Sequence, residues 1–206
     1  MRIMDISMEL NGGMLTYPKN VKPKIKMSKN MKKDGVNQSL ICIESHTGTH
    51  VDAGYHAMHN GWKLGKRPIS DFFGEAVVID ATMAGKLITA SDLKAHGIKR
   101  NGIVLLKTEN SRHTYKKFRK DFASLAIDGA RYLKSMHIKA VGIDYLSIEK
   151  YGSDMSVHKA LLSSGILIYE GLVLKGITPG RYSFYGLPIK YDGDAAPARV
   201  MLSKLA

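Results

Sequence analysis

A twelve-residue stretch rich in histidine constrains this chain more than any other part of its sequence. The stretch runs from Ser45 to His56, reads SHTGTHVDAGYH, and contains three of the eight histidines of the chain. Its imidazoles and its carboxylate lie at His46, His50, Asp52 and His56. Successive helical residues are about 100° apart, so positions 50 and 52 would lie about 200° apart on a helix. No helix face can gather all four side chains, and the sequence therefore predicts an extended segment.

The spacings favour an extended segment that bends back on itself. All of them are even, so in a strand the four side chains point to one face. A straight strand would nevertheless separate positions 46 and 56 by about 33 Å, at about 3.3 Å per residue. Glycine reaches backbone angles that other residues avoid, and we expect Gly48 and Gly54 to provide the bends. Converging imidazole and carboxylate groups suit zinc, and also manganese, iron or cobalt. A polar turn with structural histidines is the alternative.

A second group of candidate ligands follows later in the chain. His158 lies in the first turn of a predicted helix over 153–165, with Ser153 or Asp154 as its N-cap and Gly165 as its terminator. Glu170 ends the apolar run ILIYE, which predicts a buried strand. A buried carboxylate is costly unless its charge is compensated, and a metal ion would compensate it. The alternative is a solvated carboxylate at a strand end.

The rest of the chain alternates between strand and helix patterns. Strands are predicted in residues 74–82, 102–108, 139–148 and 166–174. Helices are predicted in 91–98, with Ser91 as N-cap, in 127–138 and in 153–165. Such alternation predicts one α/β domain over residues 1–206. The run 166–174 is expected to be the last strand, and the segment from Gly176 to Pro197 is expected to form ordered loops.

Composition narrows the class of protein. Apolar residues make up 44% and charged residues 24% of the 206 residues, which is typical of a soluble globular protein. No apolar run approaches the roughly 18–20 residues that a membrane span needs, and acids at Asp5 and Glu9 argue against a signal peptide. A cytoplasmic protein is expected. Cys42 is the only cysteine, so it is expected to be a small core residue, not part of a disulfide or a thiolate cluster.

The formal net charge of +13 suggests an anionic partner only weakly. Lysines cluster between Lys19 and Lys33 and in the run KKFRK from Lys116. No recognisable nucleic-acid-binding motif accompanies them, so we expect a solvated basic surface and neither a nucleic-acid nor a membrane partner. The chain also lacks the G-x-S-x-G turn of serine hydrolases and the G-x-x-x-x-G-K-[ST] phosphate loop. Both of those enzyme classes are therefore disfavoured.

Taken together, these motifs resemble a known family. The run from His46 to His56 is similar to the H-x-G-T-H-x-D-x-P-x-H signature of the metal-dependent cyclase/hydrolase family, which includes bacterial kynurenine formamidase (arylformamidase). The GID sequence at Gly142–Asp144 and the run HKALLSSGILIYEGL from His158 match further motifs of that family in the same order. The resemblance extends from about Met4 to Leu187 and so covers nearly the whole chain.

The resemblance implies a swivelling β/β/α fold, a homodimer or homotetramer, and one or two divalent metals, Zn²⁺ first and Mn²⁺ second. By position in the motifs, the implied metal ligands are His46, His50, Asp52, His158 and Glu170. Asp52 would be able to bridge two ions, and His56 has the position of a general acid/base. Five ligands exceed what one tetrahedral zinc with an open water position needs. A two-metal site therefore fits better than one metal with spare groups around it.

Two departures from the family pattern concern the substrate. Gly54 replaces the signature's proline, and Tyr17-Pro18 replaces an N-terminal pair that is often Trp-Pro. The resemblance implies that Tyr17 shapes the substrate pocket. The expected reaction is hydrolysis of a small amide, most directly an aryl formamide such as N-formylkynurenine, by a metal-activated water, with His56 relaying a proton to the leaving nitrogen. The alternatives are another small cyclic amide or lactone as substrate, or a non-catalytic metal- or ligand-binding protein.

Overall fold

A computed structural model describes residues 3–113 and 117–204 of the chain. Lys116, where the second lysine cluster begins, lies outside these residues. The strands are β1 (Ile3–Asp5), β2 (Lys24–Lys29), β3 (Gln38–Cys42), β4 (His50–Asp52), β5 (Phe73–Ala81), β6 (Leu87–Ile88), β7 (Ile103–Thr108), β8 (Ser124–Leu125), β9 (Ala140–Ile143), β10 (Leu167–Glu170), β11 (Gly180–Pro188) and β12 (Ala195–Lys204). The α-helices are α1 (Met31–Asp34), α2 (Gly54–Ala57), α3 (Ala90–Lys94), α4 (Ile127–Ser135) and α5 (Ser156–Leu162). Within the described ranges, no helix is long and apolar enough to cross a membrane.

The main sheet has eight strands and closes on itself. Its order is β1-β12-β11-β5-β7-β9-β10-β4, and β4 also pairs with β12. Strands β5, β7, β9 and β10 run parallel, and the other pairs of this sheet are antiparallel. Because the short strand β4 pairs with β10 on one side and with β12 on the other, it closes the barrel. The histidine stretch therefore lies at this closure point.

The parallel strands are apolar on both faces because each face is covered. Alternate residues of a strand point to opposite sides, so Val78 and Leu105 pack into one core cluster and Ile79 and Leu106 into another. The first cluster also contains large side chains of the C-terminal strands, such as Phe184, and fills the barrel. The second cluster lies between the sheet and helices α3, α4 and α5. Parallel strands covered on both faces read as continuous apolar runs, which is the pattern found in the sequence.

The C-terminal region differs most from the sequence-based expectation. The prediction that residues 166–174 form the last strand, with loops from Gly176 to Pro197, is wrong. Strands β11 and β12 follow, with nine and ten residues, and they are the longest of the described part together with β5. Buried residues alternate with more exposed ones along β11, as in a strand with one face in the core. The glycines and prolines of the region conceal this alternation when the sequence is read alone.

Two helix starts also differ from the prediction. Helix α3 has Thr89 as its N-cap instead of Ser91, and the side chains of Thr89 and Asp92 form a reciprocal capping box with the backbone. Helix α5 has Met155 as its N-cap, in a left-handed conformation, instead of residue 153 or 154. The first turn of α5 is capped by the carboxylate of Glu149, which lies shortly before the helix in the chain.

Residues Lys24–Cys42 form a projecting β-ribbon, which we call the ribbon. Strands β2 and β3 pair with each other, and every residue of both strands is exposed. The exposed apolar side chains of the ribbon are Ile25, Met27, Met31, Val36, Leu40 and Ile41. The prediction that Cys42 is a core residue is wrong, since Cys42 is exposed at the end of β3.

Candidate metal centre

The backbone of the histidine stretch bends where Gly48 lies and packs tightly where Gly54 lies. Gly48 has a φ of 65°, in the left-handed region that favours glycine. Gly54 begins helix α2 and is not among the residues with positive φ. A Cβ at Gly54 would lie 2.8 Å from the ring of Trp62. The expectation that both glycines provide bends therefore holds for Gly48 alone, and Gly54 is required for the close approach of Trp62.

Strand pairing brings the predicted ligands to one place. In β4, His50 is paired with Glu170 of β10, and Asp52 is paired with Ala195 of β12. Side chains of directly paired residues lie on the same face of a sheet, so His50 and Glu170 are neighbours. His158 reaches the same place from the first turn of α5, which packs against β10.

The other four predicted ligand residues lie around Asp52. Its Oδ1 lies 3.0 Å from Nδ1 of His46 and 3.3 Å from Nε2 of His50, and its Oδ2 lies 3.9 Å from Nε2 of His158. Glu170 lies 3.5 Å from Nε2 of His50 through Oε2 and 3.2 Å from Nε2 of His158 through Oε1. Asp52 is fully buried, and Glu170 is 4% exposed. The structure therefore brings the five residues together around one buried carboxylate.

Several polar atoms at this centre have no hydrogen bond. Within the described ranges, Nε2 of His50 and both carboxylate oxygens of Asp52 are buried without one. Buried unsatisfied polar atoms are costly and rare in native proteins. A divalent cation between these atoms would satisfy them, and imidazole and carboxylate are suitable ligands.

Two groups of possible ligand atoms share one residue. One group consists of His46, Asp52 and His56, the other of His50, Asp52 and Glu170, and the ligand atoms within each group lie within 4.8 Å of one another. Two overlapping groups with Asp52 in common are the arrangement expected for a carboxylate shared by two cations. The donor set of this centre thus fits either one ion or a pair.

Two of the histidines are held through the ring nitrogen that faces away from the centre. Nδ1 of His50 donates to the carbonyl oxygen of Gly48 at 2.9 Å, and Nδ1 of His158 lies 2.6 Å from Glu149. Glu149 also accepts from the backbone N–H groups of Val157 and His158, both at 3.2 Å, in the first turn of α5. Metal-binding histidines usually have such partners, which fix the tautomer and leave the other nitrogen for the cation.

Sequence reasoning did not identify Glu149. Burial alone would raise the pKa of this carboxyl group, but the hydrogen bonds from His158 and from the first turn of α5 outweigh it and lower the pKa to about 2. Glu149 is therefore ionised. It replaces an N-cap side chain for α5 and orients His158 at the same time. The only sequence signal was an acid shortly before a helix that contains a candidate ligand.

Charge at the centre is dominated by the carboxylates. Burial alone would lower the pKa of the three histidines, but Asp52 and the neighbouring carboxylates raise it to about 9 for His46 and to about 10 for His50 and His158. For Asp52, burial alone would raise the pKa, but the histidines hold it well below its usual value. The carboxylates are therefore ionised and attract cations, and a bound metal would replace the protons on the rings.

His56 differs from the other histidines of the stretch. It lies in α2, with its ring centroid 4.1 Å from that of His46 and 5.6 Å from that of His158. Burial, together with the charges of these two histidines, lowers the pKa of His56 despite the nearby carboxylates. A neutral imidazole at this position is able to accept a proton. His56 also lines an open cavity of about 410 Å³ with Tyr55 and Asp194, so it faces a space that a substrate can enter.

Tyr17 lies in a group of aromatic rings beside the centre. Its ring centroid is 5.1 Å from that of Phe118 and 5.9 Å from that of Tyr151. Burial raises the pKa of Tyr17, and the charges of Tyr151, Glu170 and Glu149 contribute to the same effect. The sequence identified Tyr17 but neither of its two aromatic neighbours.

Comparison with known proteins gives matches over most of the chain. The model of the Cyclase family matches residues 4–150. A kynurenine formamidase of Erythrobacter litoralis is 30% identical over 207 residues, which cover 99% of this chain and 94% of that protein.

Solved structures are similar over nearly the whole chain. A structure described as a predicted metal-dependent hydrolase from Bacillus stearothermophilus has a TM-score of 0.86 and 36% identity and covers 98% of this chain and 97% of that one. Isatin hydrolase A from Labrenzia aggregata has a TM-score of 0.84 and 20% identity, with coverage of 98% and 93%. The similarity to isatin hydrolase A, at 20% identity, shows the fold alone. The two structures together confirm the predicted α/β fold class of the cyclase type.

Proposed function

Because this chain belongs to the Cyclase family, we propose that it is a metal-dependent amidohydrolase whose substrate is a small aryl formamide such as N-formylkynurenine. The relationship to hydrolytic enzymes confirms the prediction that the chain is an enzyme. The observation that carries the proposal is the convergence of imidazole and carboxylate groups on Asp52. Both of its buried carboxylate oxygens lack a hydrogen bond, although ring nitrogens of His46, His50 and His158 lie 3.0, 3.3 and 3.9 Å from them.

The proposed cofactor is Zn²⁺, with Mn²⁺ as the second choice. The residues that would hold it are His46, His50, Asp52, His158 and Glu170. The two overlapping groups of ligand atoms, which share Asp52, support a pair of ions, although the first group also contains His56 and neither contains His158. When bound, a divalent cation acidifies water and polarises a carbonyl oxygen. The ionised carboxylates favour its binding, and the partners of the outer ring nitrogens keep the inner nitrogens directed at it.

The remaining chemistry belongs to side chains of the chain itself. His56 is neutral and borders the open cavity, so it can take a proton and deliver it to the leaving nitrogen of the amide. Tyr17, Phe118 and Tyr151 form an aromatic wall near Glu170. Aromatic rings prefer edge-to-face or offset contacts, and this wall suits an arene attached to the formamide nitrogen.

The proposed partners are the small-molecule amide and a second copy of the chain, not nucleic acid or a membrane. Support for a homodimer or homotetramer comes from the ribbon, because an isolated two-stranded hairpin is at best marginally stable in water and its apolar residues are exposed. The outer sheet face of the same chain carries the exposed, directly paired residues Phe73 and Tyr185 and also Leu187. Each copy thus offers an apolar ribbon and an apolar sheet face that a twofold axis would bring together reciprocally.

The test is hydrolysis of N-formylkynurenine by protein stripped of metal and then reloaded with Zn²⁺ or Mn²⁺. Turnover that is absent in the stripped protein and returns with the ion supports the proposal and identifies the usable ion. Protein that binds the ion but does not turn over the formamide contradicts the substrate assignment. Cyclic amides and lactones are then the next substrates to assay, with Gly54 and Tyr17 as the positions that depart from the family.

A further inference from the structure

Asp194 reaches the metal centre through strand pairing at the closure of the barrel. It directly precedes β12, whose first residue Ala195 is paired with Asp52. The backbone N–H of Ala53 donates to the carbonyl oxygen of Asp194 at 2.8 Å. This register places the carboxylate of Asp194 beside the histidine stretch, although the two are far apart in sequence. Sequence reasoning placed Asp194 in a loop and gave it no role.

The carboxylate of Asp194 contacts the nitrogen of His46 that does not face Asp52. Oδ2 of Asp194 lies 3.0 Å from Nε2 of His46, whereas Nδ1 of the same ring lies 3.0 Å from Oδ1 of Asp52. The same Oδ2 accepts a hydrogen bond from Oγ of Ser45 at 3.2 Å. The ring of His46 is thus held between two carboxylates, one buried at the centre and one at its rim.

The orientation of His46 depends on this contact more than that of the other histidines depends on theirs. The side chain of His46 is 19% exposed, compared with 2% for His50 and 4% for His158. His46 also precedes β4, whereas His50 lies in β4 and His158 in α5. Because less packing and no regular backbone pairing fix its ring, the ring depends on a few side-chain contacts. These are the contact of Nε2 with Asp194, the contact of Nδ1 with Asp52 and the packing against His56.

We propose that Asp194 is a positioning residue of the metal centre, which accepts the Nε2–H of His46 and so keeps Nδ1 free and directed at a cation beside Asp52. The inference rests on the proposed metal-dependent function. Asp194 would complete a set, since His50 and His158 have Gly48 and Glu149 in the same role. Partners of this kind commonly contribute about 10- to 100-fold to metal affinity.

The experiment compares metal binding by Asp194→Asn, Asp194→Ala and wild-type protein, with Asp192→Asn as the matched control. Asp192 is an exposed acid in the same segment, so its change removes the same charge without touching His46. Zn²⁺ affinity and stoichiometry are measured by competition with a chromophoric chelator, and the Co²⁺-loaded proteins are compared by visible absorption. Thermal unfolding of each metal-free protein reports whether the fold is retained.

Asp194→Asn is expected to weaken Zn²⁺ binding by about 10- to 100-fold, with an altered Co²⁺ spectrum and an unchanged number of bound ions. Asp194→Ala is expected to weaken it more, because the Asn side chain still offers an oxygen to Nε2–H. Asp192→Asn is expected to match wild type. Wild-type affinity and spectrum in both Asp194 variants would overturn the proposal, and so would loss of one full equivalent of metal, which would make Asp194 a ligand.

Failure of the proposed function gives a different result from failure of this inference. If wild-type protein binds no divalent cation, the proposed function and the inference fall together. If it binds the cation but hydrolyses no amide, the proposed reaction falls and the Asp194 measurements still decide the positioning role, since they use no substrate. If it binds and hydrolyses, and the Asp194 variants bind equally well, only the inference falls.

Discussion

Metal binding should stabilise the fold by an amount that can be estimated, and Asp52→Asn should remove that stabilisation. A ligand that binds only the folded state adds about 2.7 kcal/mol at a concentration 100 times its Kd and about 4.1 kcal/mol at 1,000 times its Kd. For chains of about 150–250 residues, 1 kcal/mol shifts Tm by about 2–4 °C. Zn²⁺ at 100 times its Kd should therefore raise the Tm of this 206-residue chain by about 5–11 °C.

Asp52 is the appropriate residue for this test because it belongs to both groups of candidate ligand atoms. Asparagine has nearly the same shape but lacks the charge, so the variant separates loss of coordination from loss of packing. Differential scanning calorimetry of metal-free and Zn²⁺-loaded protein measures the shift. We expect the full shift in wild type and none in Asp52→Asn, and Asp192→Asn serves as the charge-matched control. A shift in Asp52→Asn equal to that of wild type would refute the assignment of Asp52 as a shared ligand.

Three further predictions concern catalysis, substrate and assembly. His56→Ala should retain the metal and lose about 10²- to 10⁴-fold in kcat for N-formylkynurenine, the usual contribution of a general acid/base. Metal content is measured together with the rate, and loss of metal in parallel with loss of rate would make His56 a ligand. Tyr17→Ala should raise KM for the aryl formamide by about 2- to 13-fold, which is equivalent to the roughly 0.5–1.5 kcal/mol of an aromatic contact. Tyr17→Phe should leave KM unchanged. Steady-state kinetics that give equal KM values for all three proteins would show that Tyr17 does not line the pocket. Ile25 and Ile41 are paired on one face of the ribbon, and changing both to Lys should reduce the mass measured by light scattering to that of the monomer. The control variant Lys32→Ala in α1 should keep the mass of wild type. A monomeric wild type would contradict the proposed assembly.

Much of the fold was accessible from sequence because its signals are local. The apolar runs that became β5, β7 and β10 are covered on both faces, and the helices between them carry recognisable starts and ends, so α/β alternation was predicted and is confirmed. The C-terminal strands were harder to predict, since β12 pairs with the distant strands β1 and β4. The ribbon was harder because its strands are exposed on both faces and have no buried side to give an alternating pattern. Val200 of β12 is fully buried, yet it is the pairing of β12 with β1, β11 and β4 that explains why that segment is a strand.

Part of the site was also accessible, for a different reason. The even spacing of His50 and Asp52 places them on one face of β4. The family assignment, which came from the resemblance of the histidine signature and the later motifs, is confirmed. The metal-binding roles of the residues, and the role of His56, remain predictions. Asp194 was missed because nothing in its local sequence marks it, and Glu149 because its only signal was an acid shortly before a helix that contains a candidate ligand. Each acts on a histidine held by another element, and only the three-dimensional structure shows the contact.

The closure of the barrel links the C-terminal strands, which were hard to predict, to the residues of the candidate centre. Strand β4 has three residues, and it is held on one side by β10, which contributes Glu170, and on the other by β12, which positions Asp194. The residues that define the candidate centre are therefore placed by the same pairings that close the sheet. A change that weakens the pairing of β12 with β4 should alter metal affinity even though it touches no ligand. The part of the chain that sequence reasoning described least well is thus the part on which the geometry of the centre most depends.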